Sequence, residues 1–294
     1  MKKNRLINLS LLLVALLLAL LAIYEPGIKK PTELPSLVQL KREAVEHILI
    51  RRANQPNIEL ERDDAGHWQL LQPLKATASD FRIDALLRVT ASKSLGSFAA
   101  AEKPLSDYQL AHPQVELVLN GTTRIAFGSN TPLDHRRYVL LDETVHLISD
   151  TLYYHLIGTF PTFVSRRPLP QSSSISVLQL PQLHLQWRDE RWQVEPRPED
   201  YSADRLSRLL DAWQYASANQ VKAYDGNAGE AITVQLDAGE QPFEFLLTAR
   251  EPDLILARPK LGIQYHFPAE AAAQLLQFSA AEPDGDLVDP DRVN

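Results

Sequence analysis

Two patterns of polarity divide this chain. From Leu6 to Tyr24 it reads LINLSLLLVALLLALLAIY, with Asn8 and Ser10 as the polar breaks before the closing tyrosine. These nineteen residues would make a helix about 28 Å long, close to the roughly 30 Å of a hydrocarbon core, and so predict a transmembrane helix. After it the pattern becomes strand-like. VEHILI (45–50), IELER (58–62) and HWQLL (67–71) are short apolar or alternating runs, separated by NQPN and by DDAG, both turn-forming stretches. Ile58 and Leu60 alternate with Glu59 and Glu61, which predicts one buried and one wet face. In SDFRIDALLRVTASKS (79–94) the period changes. Ile83, Leu86, Leu87 and Thr90 form one helical stripe, with Ser79 as the predicted N-cap and Asp80 in the first turn.

The same order returns later. ISVLQL (175–180), LHLQW (183–187) and RWQVE (191–195) read as strands, and YSADRLSRLLDAWQYAS (201–217) as a helix with stripe Leu206, Leu209, Leu210 and Trp213 and cap Ser202. Trp68 and Trp192 stand 124 residues apart, and Leu86–Leu87 and Leu209–Leu210 stand 123 apart. A nearly constant offset across strands, turn and helix predicts a tandem duplication. The later strands match more loosely: 115–120, 123–128, 137–141 and 144–149 in the first half, and 231–236, 243–249, 254–258 and 263–267 in the second, each set followed by a short helix. The predicted fold class is therefore α+β: two tandem homologous lobes, each a mostly antiparallel meander packed with helices, preceded by one N-terminal transmembrane helix. Tryptophan carries a large apolar area, so Trp68 and Trp192 are expected to cover the seam between third strand and helix.

The predicted boundaries are 1–25 for a cytoplasmic start and transmembrane helix, 26–40 for a membrane-proximal spacer and 41–160 for the first lobe. A linker follows at 161–174 (PTFVSRRPLPQSSS), then the second lobe at 175–279 and an acidic disordered tail at 280–294. The basic flank MKKNR precedes the apolar run and YEPG follows it, which places the N-terminus in the cytoplasm and the bulk of the chain in the periplasm of a bacterial inner membrane. A cleaved signal peptide is the competing reading, but Ala22 has Leu20, not a small residue, two places before it.

Charge narrows the partners. The chain carries −7, and Lys2, Lys3 and Arg5 contribute +3, leaving −10 on residues 25–294. Such a balance repels phosphate backbones, so no nucleic-acid partner is expected. With no cysteine there is neither thiolate chemistry nor disulfide bonding. The eight histidines form no HxH or HExxH pattern, and His146 and His266 read as solvent-face residues of their strands. No GxSxG or SxxK motif is present, and GNAG (226–229) opens a strand where a phosphate cradle needs a helix. No catalytic, cofactor-binding or metal residue is therefore assigned, no cofactor is expected, and the chain is read as not an enzyme. Arg136, Arg137, Arg166, Arg167, Tyr153 and Tyr154 are the residues whose types suit an interface.

WQLLQP, SDFRIDALL, FGSNTP followed by RYVLLDETVHLIS, and DYQLAHPQVELVL together resemble the family called domain of unknown function 4340, DUF4340. The resemblance covers most of 45–160 and, in a divergent copy, 175–278, where RPKLG replaces the LDET turn. It implies a membrane-anchored envelope protein associated with ABC-type transport, and implies no catalytic residues. The function expected is a single-pass inner-membrane protein whose periplasmic two-lobed part is an interaction or scaffold module for an envelope or ABC-transporter-type partner. The alternative is a periplasmic module binding glycan, lipid or peptide in the inter-lobe groove, lined by Trp213 or Tyr215. An envelope hydrolase is a third reading.

Overall fold

The computed structural model describes residues 10–20, 34–132, 134–170, 174–199, 201–237 and 241–278. The chain divides into two compact units, Met1–Pro35 and Ser36–Asn294, and both lobes belong to the second. Among the described residues no helix is long and apolar enough to cross a membrane. Residues 10–20 are helical and would extend about 16 Å, roughly half a hydrocarbon core. The rest of the 6–24 run lies outside the described residues, as do most of the spacer and the acidic tail. This finding corrects the predicted transmembrane helix. The single-pass inner-membrane topology, the periplasmic placement and the membrane-borne envelope or ABC-transporter partner all depended on that helix and are withdrawn with it.

The second unit is α+β, with two sheet-and-helix regions. In the first, β1 (His47–Arg52), β2 (Ile58–Arg62), β3 (Trp68–Gln72) and β4 (Ala76–Thr77) lead to α1 (Asp80–Leu87). Then come β5 (Gly96–Ala99), β6 (Val115–Leu119), β7 (Thr123–Asn130), β8 (Arg136–Leu141), β9 (Thr144–Ser149) and α2 (Tyr153–Leu156). In the second, β10 (Ile175–Leu180), β11 (Leu183–Arg188) and β12 (Arg191–Glu195) lead to α3 (Ala203–Gln214). They are followed by β13 (Gln220–Ala223), β14 (Glu230–Leu236), β15 (Phe243–Ala249), β16 (Asp253–Arg258), β17 (Ile263–Pro268) and α4 (Ala271–Leu275).

The sheet orders are β4-β3-β2-β1-β6-β7-β8-β9-β5 and β12-β11-β10-β14-β15-β16-β17-β13. Removing β4 makes them the same permutation. Each lobe is an antiparallel sheet in which the strand after the long helix returns to pair with the last strand, Gly96 opposite Leu147 in one and Gln220 opposite His266 in the other. Trp68 and Trp192 open or nearly open equivalent strands, and each strand leads into a cis proline, Pro73 and Pro196.

Alternation accounts for the inner faces. Ile50 pairs with Ile58 on one side and Leu117 on the other, and Leu117 pairs with Ile125, making a row of apolar side chains across four strands. All four are fully buried, and Ile83, Leu86 and Leu87 of α1 join them in one core. The opposite face of the first sheet is covered by residues 100–112, whose Leu105, Tyr108 and Leu110 pack on Ala126, Tyr138 and Val145. Gly128 permits this cover: a Cβ there would stand 2.2 Å from the Tyr108 carbonyl oxygen.

α3 contains its whole apolar stripe, whereas α1 ends before Thr90. α1 gives way to a 3₁₀ turn at Arg88–Ala91, and Ser79 sits at its N-cap without a side-chain cap bond, whereas Ser202 Oγ accepts from the Arg205 N–H at 3.3 Å. Trp68 is buried beside Ile83 and Leu87, at the strand–helix seam. Trp192 is half-buried and pairs edge-to-face with Trp187, ring centroids 5.7 Å apart.

The stretch read as a linker is packed into both lobes. Its Phe163, Val164 and Leu169 are buried in the same continuous core that holds the inner faces of the two sheets. The Ser79 N–H donates to Phe163 O and the Ser165 N–H to Thr77 O, each at 2.8 Å, while the Ala218 N–H donates to Arg166 O at 2.9 Å. Leu37 and Val38, in the stretch read as spacer, are buried too. With one core and one backbone ladder across the join, the lobes form a single cooperative body. Phe163→Ala, which opens a cavity at that join, is expected to cost about 3–5 kcal/mol. Chemical denaturation followed separately by Trp fluorescence and far-UV circular dichroism should still show coincident transitions; two resolved transitions would show that the lobes are independent.

Candidate functional site

Between the lobes lies an open groove of about 380 Å³. Its first-lobe wall is Gln69–Leu71 and Lys75–Thr77, from β3, β4 and the bend joining them. Its floor is the connector 164–170, and its second-lobe wall is Phe243, Arg258 and Tyr265 from the adjacent strands β15, β16 and β17. Arg258 stands 5.0 Å from the Phe243 ring centroid and 5.5 Å from that of Phe245. Burial pushes the pKa of the neighbouring Tyr265 phenol above the ordinary 10.0. The two aromatic faces orient this guanidinium. Trp213 and Tyr215, expected to line the groove, do not: Trp213 is fully buried, with Nε1 donating to Leu275 O at 2.7 Å, and Tyr215 is exposed away from the groove lining.

A second feature lies on α1 and α2. Phe81 is 64% exposed, Tyr154 71% and Ile157 40%. The His155 ring sits between the two aromatics, 5.8 Å from each, and its Nδ1 is 3.1 Å from Arg82 Nη1. Arg82 in turn lies 6.0 Å from the Tyr154 ring and 5.6 Å from that of Phe163. The matching strand order of the two lobes supplies an internal comparison. Matching Ser79 with Ser202 places Asp204 at the Phe81 position, and matching the buried Leu156 with Leu275 places Ala273 at the Tyr154 position. The aromatic cluster is thus an addition to the lobe design, not part of it.

The interface candidates separate by environment. Arg137 is buried, bidentate to Asp150 at 2.5 and 2.9 Å, donates to the Gly128 carbonyl and lies 3.6 Å from the Tyr153 ring centroid. Arg137 and Tyr153 therefore hold α2 against the sheet. Arg136 pairs with Asp134 at 3.0 Å. Arg166 reaches Asn219 O of the second lobe at 3.4 Å, and Arg167 lines the groove. Tyr154 alone of the tyrosine pair faces outward. His266, read as a solvent-face residue, is 6% exposed and bonds Asp253 at 3.1 Å and Gln264 at 3.0 Å. His146 is half-buried and bonded to Ser94 Oγ at 2.9 Å. Among the described residues no group of three or more His, Asp or Glu side chains is arranged to hold a metal.

The fold and these surfaces define an α+β protein with two sheet-and-helix regions of matching strand order packed on one core. No family model, no curated protein and no solved structure matches the chain. The resemblance to domain of unknown function 4340 has no counterpart among these comparisons.

Two histidines set an acid limit. Burial holds the His146 imidazole below its ordinary 6.5, and burial followed by the charges of Arg82 and Arg88 does the same for His155. As pH falls below 6.5 the unfolded chain takes up these protons first. Their contribution to stability is complete above that value and is lost as pH falls through the folded-state values. Urea midpoints measured from pH 7.5 to 5 should decline, and the double variant His146→Gln, His155→Gln should flatten the decline. An unchanged slope in that variant would remove the two imidazoles as its cause.

Proposed function

We propose that this chain is an interaction module: a rigid two-lobed α+β body that docks a partner protein through the aromatic cluster on its first lobe. One observation carries the reading. Phe81 and Tyr154 are exposed on either side of the His155 ring where the second lobe has Asp204 and Ala273. Tyrosine and arginine dominate the energetics of protein interfaces, and an aromatic ring held in place by neighbours loses little entropy on docking. Arg82 and His155 supply that support here. In this reading the chain is a binding protein and not an enzyme.

The test uses the internal comparison. Phe81→Asp with Tyr154→Ala gives the first lobe the side chains of the second. Because both positions are exposed, stability should change by about 0.5 kcal/mol or less. Crosslinking mass spectrometry on the native chain should find one partner surface attached around α1 and α2, and the double variant should weaken that complex by about 30-fold or more, the scale of one lost hot spot. Trp187→Ala, an exposed aromatic elsewhere, should leave it intact. Equal capture by the native chain and the double variant would overturn the assignment.

A further inference from the structure

The inter-lobe groove has the opposite electrostatic character from the chain that contains it. The protein carries −7 overall, yet Lys75, Arg167 and Arg258 line the groove and none of the described residues lining it is Asp or Glu. The three cations come from three separate parts of the fold: the first lobe, the connector and the second lobe. Only the docking of the lobes brings them to one cavity. The remaining wall divides in two. Leu70, Leu71, Val164, Leu169 and Phe243 are apolar, while Ser165 and Thr77 add hydroxyls.

We propose that this groove is a binding site for a small anionic amphiphile, its carboxylate or phosphate head held by Arg258 with Lys75 and its apolar body laid against Leu70, Leu71, Leu169 and Phe243. Arg258 anchors the head because Phe243 and Phe245 hold its guanidinium before any ligand arrives. A planar guanidinium can offer two parallel N–H groups to a carboxylate or phosphate. Lys75 is exposed and acts as a screened point charge at the rim. A free inorganic anion would leave the apolar wall wet, and a neutral amphiphile would leave the guanidinium without a counter-charge. A volume of about 380 Å³ falls within the range of small-molecule sites. The groove shares no lining residue with the aromatic cluster on α1 and α2, so this proposal stands apart from the interaction reading.

Isothermal titration calorimetry of the full chain tests it, using octyl phosphate, sodium octanoate, octyl glucoside and inorganic phosphate, each kept below its micelle concentration. Saturable one-to-one binding is expected for octyl phosphate or octanoate, and the tighter of the two identifies the head group. Octyl glucoside and inorganic phosphate should bind at least ten-fold more weakly, and raised salt should weaken the anionic ligands. Arg258→Gln should reduce affinity at least ten-fold. Since Arg258 also packs on two rings, Lys75→Gln, at an exposed position, provides a fold-neutral variant, expected to lose about three-fold. The site is overturned if no anionic amphiphile binds, if octyl glucoside or inorganic phosphate binds as tightly as octyl phosphate, or if both variants bind like the native chain.

Discussion

The join between the lobes is held by a backbone ladder, and the rest of the structure depends on it. A connector rich in proline and arginine would ordinarily be a hinge, because it offers few side chains to a core and few N–H groups to a sheet. Here Phe163, Val164 and Leu169 supply the side chains, and residues 163–166 trade backbone hydrogen bonds with Thr77 and Ser79 on one side and Ala218 on the other. Breaking the join would strand buried backbone groups and expose apolar area together. Phe163 illustrates the coupling: its ring is fully buried and lies under the guanidinium groups of both Arg52 and Arg82. Arg82 in turn bonds His155, so the aromatic cluster is braced from the same place.

The matching strand order of the two halves makes their differences easy to place. The shared parts are those a closed lobe cannot lose: the three-strand start, the long helix, the returning strand and the four-strand meander. The additions are local. The first lobe gains β4, which covers the edge strand β3, and the 100–112 segment that covers the outer sheet face. Among the described residues β12 is the edge strand of the second sheet, and charged Arg191 and Glu195 stand at its two ends. Charges on an open edge discourage further strand pairing.

Much of the architecture was legible from periodicity. Alternation at 45–50 and 58–62, the helical stripe through Ile83 and Leu87, and the near-constant offset between the tryptophans all correspond to observed elements. What periodicity missed has physical causes. GSFA and QVKA, the returning strands β5 and β13, are four-residue edge segments with little buried area, so neither shows alternation. Composition marks 161–174 as a linker because it reports intrinsic stiffness and polarity but not a neighbouring sheet edge that can accept its hydrogen bonds. His266 alternates with apolar neighbours in sequence, yet Gln264 and Asp253 satisfy its ring, and only the fold brings Asp253 alongside. The apolar run at 6–24 satisfied a length criterion, but the described helix covers only 10–20. The groove was out of reach for a different reason: Lys75, Arg167 and Arg258 are each unremarkable in sequence and become a set only when the lobes dock.

A fused join also determines what kind of recognition this body performs. A hinged pair of lobes spends part of its binding free energy on closure and reports occupancy by moving. Lobes that share a core have no such closure available, so a ligand or partner meets surfaces already in their final form. Preorganisation removes much of the ordering cost of association, and the specificity then rests on shape and charge fixed in advance. Arg258 stacked on Phe243, and Phe81 and Tyr154 flanking His155, are both arrangements of this kind: rotamer-rich or large side chains held by neighbours before contact. The sign of the groove follows from the same logic. Lys75 and Arg258 come from different lobes, and the shared core that fixes the lobes fixes both cations at one cavity.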